Sequence, residues 1–195
     1  MNTTRLILAS LVFVLIVGTP FAYRAFVSTK YRNLRVVEEG KLYRSGQMSE
    51  EAFERTCREY GIGTVITLRD TKDETGKNDD DYEPRYCAEN NIGFYRFSPG
   101  DWSLVNGEVS GEKNLIEFFR ILRDPNTKHP VLVHCFAGIH RTGAHVAAYR
   151  MECNNWSPEQ AVREMKSMGT PRTTFADNLI DYLFEPMHIW RTSGE

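Results

Sequence analysis

No sign of charge dominates this sequence. Its 195 residues carry 24 lysines and arginines against 26 aspartates and glutamates, a formal net charge of −2. Without a basic surplus there is no electrostatic footprint for nucleic acid, and without a charge block there is no acidic or basic tail. Cysteine is sparse too. The four, at positions 57, 87, 135 and 153, lack the tight spacing of a disulfide framework. A chain of this size does not need such staples, so a reducing compartment is favoured. No repeat at solenoid or propeller periods is present, which leaves one globular domain with 41% hydrophobic residues to build its core.

The N-terminus is a different material. Leu6 to Val17 holds no charge and only Ser10 is polar, and Gly18 to Tyr23 extend the stretch to Arg24. Eighteen residues reach about 27 Å as a helix, enough to cross a bilayer core. The expectation is an uncleaved single-pass membrane anchor over 6–23. A cleaved signal peptide is the main rival, with Arg5 as its basic region and Ala22 at its end, although Pro20 stands where a small residue is wanted. A buried helix is the third reading, and nothing amphipathic marks it. Lys30, Arg24, Arg32 and Arg35 outnumber Arg5 and the terminal amine, which places the following domain on the cytoplasmic side. The organisation expected is an anchor and linker over 1–33 and a catalytic domain over 34–190.

Beyond the linker, short β-like pieces stand at Arg35–Val37 and Leu42–Arg44. Ser49 caps a helix that Gly61 stops. "GTVITLRD" reads as a β-branched strand ending at Asp70, and Thr71–Asp81 as a polar loop. A helix near Tyr82–Asn90 leads to the strand "FYRFS" and the loop "PGDW". Leu115, Phe118, Phe119 and Leu122 recur at helical spacing, and "DPNTKHP" breaks that helix before the strand Val131–His134. Ser157, Pro158 and Gln160 open the clearest helix and Gly169 closes it. A last helix spans Phe175–Leu183. Strands alternating with helices imply an α/β fold with a central, mostly parallel sheet flanked by helices.

The chemistry concentrates in "VLVHCFAGIHRTG", residues 131–143. In such sheets, ligands bind beyond the carboxyl ends of the strands, and this strand delivers Cys135 there. Gly138 lets the chain turn tightly, and a helix opening near Thr142 aims its unpaired N–H groups at the loop. The amides of Phe136, Ala137, Gly138, Ile139, His140 and Thr142 then form a cradle for an anion. Arg141 adds a planar fork suited to two oxygens of one phosphate. The same field favours a thiolate, which makes Cys135 a nucleophile for phosphoryl transfer. An alkoxide leaves badly without a proton, and Asp101, in the loop after "FYRFS", is the expected general acid. Asp70 is the second choice, and Asp79, Asp80 and Asp81 read as a solvated loop. No cofactor or metal is required.

H-C-x5-R-T-G after an apolar strand resembles the signature of the cysteine-dependent protein tyrosine phosphatases, in their short dual-specificity branch. The likeness spans roughly residues 34–182. "KLYRSGQ", "VITLRD" and "HRTG" are most similar to the atypical members of plants, fungi and bacteria. The resemblance implies Cys135 as nucleophile, Arg141 as phosphate ligand and Asp101 as acid. It also implies Thr142 as the hydroxyl that eases thiolate departure, and His134 as the histidine behind the cysteine. Relatives acting on inositol pyrophosphates carry basic residues inside this loop, where this chain has Phe136, Ala137 and Ile139. A phosphoprotein or small phosphomonoester is therefore favoured over inositol polyphosphates and phosphoinositides.

Other readings stand beside this one. The loop could bind phosphate without turnover, or serve sulfur or arsenic chemistry, which would not need Asp101. His134, His140 and His145 lie near a cysteine but lack zinc-ligand spacing. His140 is either a contact at the loop tip or a solvated side chain, and Trp102 either a lid beside the acid or a packed aromatic. Arg44 and Arg69, beside strands, are expected as structural ion-pair partners. Cys57, Cys87 and Cys153 fall at helical positions as packing residues, any of them a resolving thiol if close to Cys135.

Overall fold

β-Branched and apolar runs of four or five residues form the strands, and the alternation within them decides which layer each side chain joins. The computed structural model describes residues 12–13, 16, 18–19, 32–70, 80–100, 102–105, 108–170 and 173–185. Its elements run β1 (Arg35–Glu38), β2 (Leu42–Gly46), α1 (Glu50–Tyr60), β3 (Thr64–Thr67), α2 (Tyr82–Glu89) and β4 (Gly93–Arg96). They continue with β5 (Leu104–Val105), β6 (Glu108–Val109), α3 (Ser110–Arg123), β7 (Val131–Cys135), α4 (His140–Cys153), α5 (Pro158–Ser167) and α6 (Thr174–Leu183).

The main sheet has the order β1-β2-β7-β3-β4, with β1 antiparallel to β2 and the other pairs parallel. The mostly parallel α/β sheet expected from the sequence is therefore present. Strand β7, which delivers Cys135, lies in the middle, and every one of its residues is buried. Its alternation sorts the two cores. Val131, Val133 and Cys135 join Leu42, Ile66, Phe118 and Ala147 on one face. Leu132 joins Tyr43, Phe53, Val65 and Cys87 on the other. Phe53, Phe118 and Phe119 are almost wholly excluded from solvent, each contributing about 2–3 kcal/mol of apolar burial.

The helix ends follow local chemistry. The Ser49 side chain accepts from the Ala52 N–H, and Gly61 ends α1 in the left-handed region at φ 61°. Ser157 and Gln160 close a reciprocal capping box on α5, with Pro158 in its first turn. Two expectations shift. β3 ends at Thr67 rather than Asp70: its last pair with β7 is Thr67 with His134, closed by the Leu68 N–H donating to the His134 carbonyl at 2.8 Å. The two-residue pair β5 and β6 was not expected at all, being too short to show a period.

Within the apolar N-terminal stretch, Val12, Phe13, Ile16, Gly18 and Thr19 are helical, and Val12, Phe13 and Ile16 are exposed. The rest of the expected anchor over 6–23 lies outside the described residues. Among the described residues, no helix is long and apolar enough to cross a membrane.

Candidate active site

Cys135 ends β7, and the chain from Phe136 to Ile139 wraps into a loop that feeds α4. Gly138 makes the wrap possible: it sits at φ 70°, and a Cβ there would meet Ser45 and Gly46 backbone atoms at 2.5 Å. The start of the domain grips this loop from outside. The Gln47 N–H donates to the Phe136 carbonyl at 2.9 Å, and Asn33 Nδ2 donates to the Ala137 carbonyl at 2.9 Å. Arg44 Nη2 donates to the Gly138 carbonyl at 2.8 Å. In a trans peptide the N–H points opposite the C=O. Three outward carbonyls therefore turn the amides of Ala137, Gly138 and Ile139 toward the loop interior. The first turn of α4 adds the amides of His140, Arg141 and Thr142, since its ladder begins with the Gly143 N–H bonded to the Ile139 carbonyl. The result is an anion cradle at a helix N-terminus, directly after a cysteine.

Arg141 is half-buried, and its Nη1 donates to the Leu68 carbonyl at 3.1 Å. That bond fixes one edge of the guanidinium, and among the described residues no other hydrogen bond of its side chain competes with a ligand. Thr142 is fully buried, and its hydroxyl has no bonding partner among the described residues. Phe136 is the exposed member of the loop, at 54% of its surface, while Ala137 and Ile139 are half-buried and Gly138 is buried. His140 opens α4 and is half-buried rather than solvated.

His134 points to the opposite face of β7. Its Nε2 lies 3.1 Å from Glu83 Oε2, and both residues are buried. Glu83 Oε1 accepts from Gln47 Nε2 at 2.8 Å, and Gln47 Oε1 accepts from Arg69 Nη1 at 2.8 Å. Gln47 thus joins the loop backbone to the group behind the cysteine. Neither Gln47 nor Glu83 was singled out from the sequence. A signal existed for Glu83, which stands three and four residues before the buried Tyr86 and Cys87 on one helical stripe.

Several expectations are corrected. Arg44 is buried, yet among the described residues it makes no ion pair; burial pushes its guanidinium down to about 10. Arg69 does pair, with Asp80 Oδ2 at 3.4 Å. Asp80 is fully buried between Arg69 and Arg96, so it is no solvated loop residue, whereas Asp81 is exposed and Asp79 lies outside the described residues. Cys57 and Cys87 are buried, but Cys153 is exposed. Asn33, expected in the linker, belongs to the site. Basic groups also reach the loop from outside it: Phe136 lies 4.5 Å from the Arg32 guanidinium and 5.3 Å from that of Arg69.

Asp101 lies outside the described residues. Its neighbours Gly100 and Trp102 line a cavity with Leu68, Asn114, Arg141 and His145. About 10 Å³ there is open to the centre of a water-sized sphere, room for about one water molecule. Trp102 is a packed aromatic, 4% exposed and 5.1 Å from the Tyr182 ring. The Asp101 loop follows β4, at the sheet edge, and β3 separates that strand from β7. The loop therefore follows a strand that is not a neighbour of β7. Asp70 follows β3, the adjacent strand, and its Oδ2 accepts from the Ser98 hydroxyl at 2.9 Å.

A family model described as "DSP-PTPase phosphatase fused to NAD+ Kinase" matches residues 21–179. The putative tyrosine-protein phosphatase OCA1 of Mycosarcoma maydis is 30% identical over 138 residues, covering 69% of this chain and 78% of that protein. The tyrosine-protein phosphatase yvh1 of Schizosaccharomyces pombe is 38% identical over 85 residues, which cover 38% of this chain and only 25% of that longer protein. Among solved structures, the core catalytic domain of the PP-IP phosphatase SIW14 from S. cerevisiae aligns with a TM-score of 0.60 at 20% identity, over 78% of this chain and 85% of that one. TpbA of P. aeruginosa aligns with a TM-score of 0.57 at 22% identity, over 77% and 83%. These two likenesses concern the fold.

Proposed function

Since the chain belongs to the DSP-PTPase family of phosphatases, we propose that it hydrolyses phosphomonoesters through a cysteinyl-phosphate on Cys135. The Cys135 thiolate attacks phosphorus, the bond to the leaving oxygen breaks, and Asp101 donates the proton that this oxygen takes up. The cradle amides and the Arg141 fork hold the three equatorial oxygens throughout. Water then attacks phosphorus and gives a proton to the Asp101 carboxylate as the S–P bond breaks, which releases inorganic phosphate and returns both the thiolate and the protonated acid. The Thr142 hydroxyl donates to the sulfur as it departs. The observation that carries this reading is the set of three outward carbonyls at Phe136, Ala137 and Gly138, which aims consecutive amides inward beside a cysteine.

The substrate is a phosphorylated protein or a small phosphomonoester. Phe136 supplies an exposed apolar surface beside the cradle, and Arg32 and Arg69 flank it. Turnover of p-nitrophenyl phosphate tests the reaction. Cys135→Ser should abolish it, and Arg141→Lys should reduce it severely, because a point charge cannot replace the fork. Near-normal kinetics in either variant would remove that residue from the site. A panel of phosphotyrosine and phosphoserine peptides, phosphoinositides and inositol phosphates ranks the substrates.

The reading includes a membrane tether through residues 6–23, supported by an uncharged stretch of bilayer length, with the catalytic domain on the cytoplasmic side. Full-length protein should then stay with membranes through an alkaline wash, and a chain beginning near residue 30 should be soluble and active. A soluble full-length product of reduced mass would show a cleaved signal peptide instead.

A further inference from the structure

Arg44 and Cys135 project from neighbouring strands onto the same face of the sheet. In the β2–β7 register, Arg44 pairs with Val133 and Gly46 with Cys135. Two-residue alternation then puts Arg44 and Cys135 on the side that α4 covers. The guanidinium is tucked under the loop. Nη2 donates to the Gly138 carbonyl at 2.8 Å, and a Cβ built on Gly143, in the first turns of α4, would stand 3.8 Å from that same nitrogen.

Among the described residues, no anion pairs with the guanidinium. Arg44 is 3% exposed, and its Nε has no bonding partner among the described residues. The charged groups acting on it are Glu164 on α5, Cys135 on β7, Arg35 on β1 and Arg150 on α4. Glu164 is committed elsewhere: Arg150 Nη2 holds its Oε1 at 2.9 Å, and Arg150 Nε approaches both of its oxygens at 3.3 and 3.2 Å. Arg35 and Arg150 only add positive charge. A buried cation without a paired anion is costly, and among the described groups acting most strongly on Arg44 the one left that can carry negative charge is the Cys135 sulfur.

We propose that Arg44 is a positioning residue whose buried charge keeps Cys135 in the thiolate form and whose bond to the Gly138 carbonyl keeps the cradle amides turned inward. The proposal rests on Cys135 being the nucleophile. The thiolate and Arg44 compensate one another across the loop, with no direct contact to substrate. When phosphate occupies the cradle, its charge takes over the same role.

The test measures alkylation of Cys135 by iodoacetamide against pH in the full-length chain, read on the Cys135 peptide by mass spectrometry so that the exposed Cys153 does not interfere. Arg44→Met should raise the midpoint by about one pH unit, which slows alkylation about tenfold well below the midpoint. The acid limb of kcat/KM should move with it. Arg44→Lys, which keeps the charge, should hold the midpoint close to wild type while raising KM. An unchanged midpoint in a folded Arg44→Met variant overturns the proposal. Should Arg44→Met not fold, the wild-type chain still decides. Its Arg44 Nε–H resonance should shift across the alkylation midpoint and stay still in Cys135→Ser, and an unmoved wild-type resonance overturns the proposal. Wild-type turnover of p-nitrophenyl phosphate that does not depend on Cys135 would instead overturn the nucleophile assignment, so the two failures are distinct.

Discussion

Gly138 and Gly46 lie backbone against backbone. A Cβ on Gly138 would meet Gly46 N at 2.5 Å, and one on Gly46 would meet the Ala137 carbonyl carbon at 2.8 Å. The end of β2 is thus the outer wall of the Cys135 loop: a side chain on Gly138 would displace Ser45 and Gly46, and one on Gly46 would displace Phe136 and Ala137. Gly138 has the additional constraint of its positive φ. Gly138→Ala should lower kcat/KM for p-nitrophenyl phosphate by about 10² or more, as expected when catalytic groups are displaced by an ångström. Steady-state kinetics at matched folded fraction check this, and a loss under threefold would show that the loop tolerates a shift.

Glu83 should matter for both stability and turnover. It is fully buried, faces His134 Nε2 and accepts from Gln47 Nε2. Glu83→Leu leaves those polar partners unpaired in the core, which should cost about 3 kcal/mol or more in urea denaturation. Glu83→Gln keeps the shape and one acceptor and should lose less. Equal stability in the two variants would mean that the carboxylate is not what satisfies His134.

The secondary structure was legible where local chemistry and packing agree. Ser157, Pro158 and Gln160 announced α5, and Ser49 with Gly61 announced α1, because a cap is written in adjacent residues. The Cys135 loop was legible for the same reason: strand, glycine turn and helix start follow in one stretch. Its supports were not. Asn33, Arg44, Gln47 and Glu83 reach it from 52 to 102 residues away in sequence, a relationship that only the sheet order creates. Arg44 was expected in an ion pair because it stands beside a strand rather than past the cysteine loop, a position that says nothing of what surrounds its guanidinium. Asp80 was misjudged because it sits in an acidic run whose exposed members, such as Asp81, gave no hint of its burial.

His145 makes stability depend on pH in a defined window. It is buried in α4 beside Phe97 and Phe118, with Nδ1 2.9 Å from the Arg141 carbonyl. Burial pushes its imidazole down to about 4 from an ordinary 6.5, opposed by the Arg141 and Asn114 carbonyls. Among the described residues, Arg141 is the charged group that lines the cavity with it. Below pH 6.5 the unfolded chain takes up a proton that the folded chain refuses until about pH 4. Stability from this group is therefore complete above pH 6.5 and falls as pH drops to about 4, by on the order of 3 kcal/mol. Urea denaturation across that range should show a slope that His145→Leu flattens; the same slope in the variant would assign it to another group.

Asp101 and Asp70 are separated by leaving-group dependence. If Asp101 protonates the leaving oxygen, Asp101→Asn should lower kcat by about 10²–10⁴ for an alkyl phosphate and much less for p-nitrophenyl phosphate. The alkaline limb of the pH profile should flatten in the same variant. Asp70→Asn should affect both substrates alike through its bond to Ser98. The reverse pattern would move the acid to Asp70.

Hydrolysis through Cys135 requires a covalent cysteinyl-phosphate. Wild-type chain mixed with a radiolabelled aryl phosphate and quenched in acid within milliseconds should carry label on the peptide containing Cys135. The label should rise to a steady level during turnover, decay when substrate is exhausted, and be absent from Cys135→Ser. Turnover with no label on Cys135, or with label on another residue, would contradict the account.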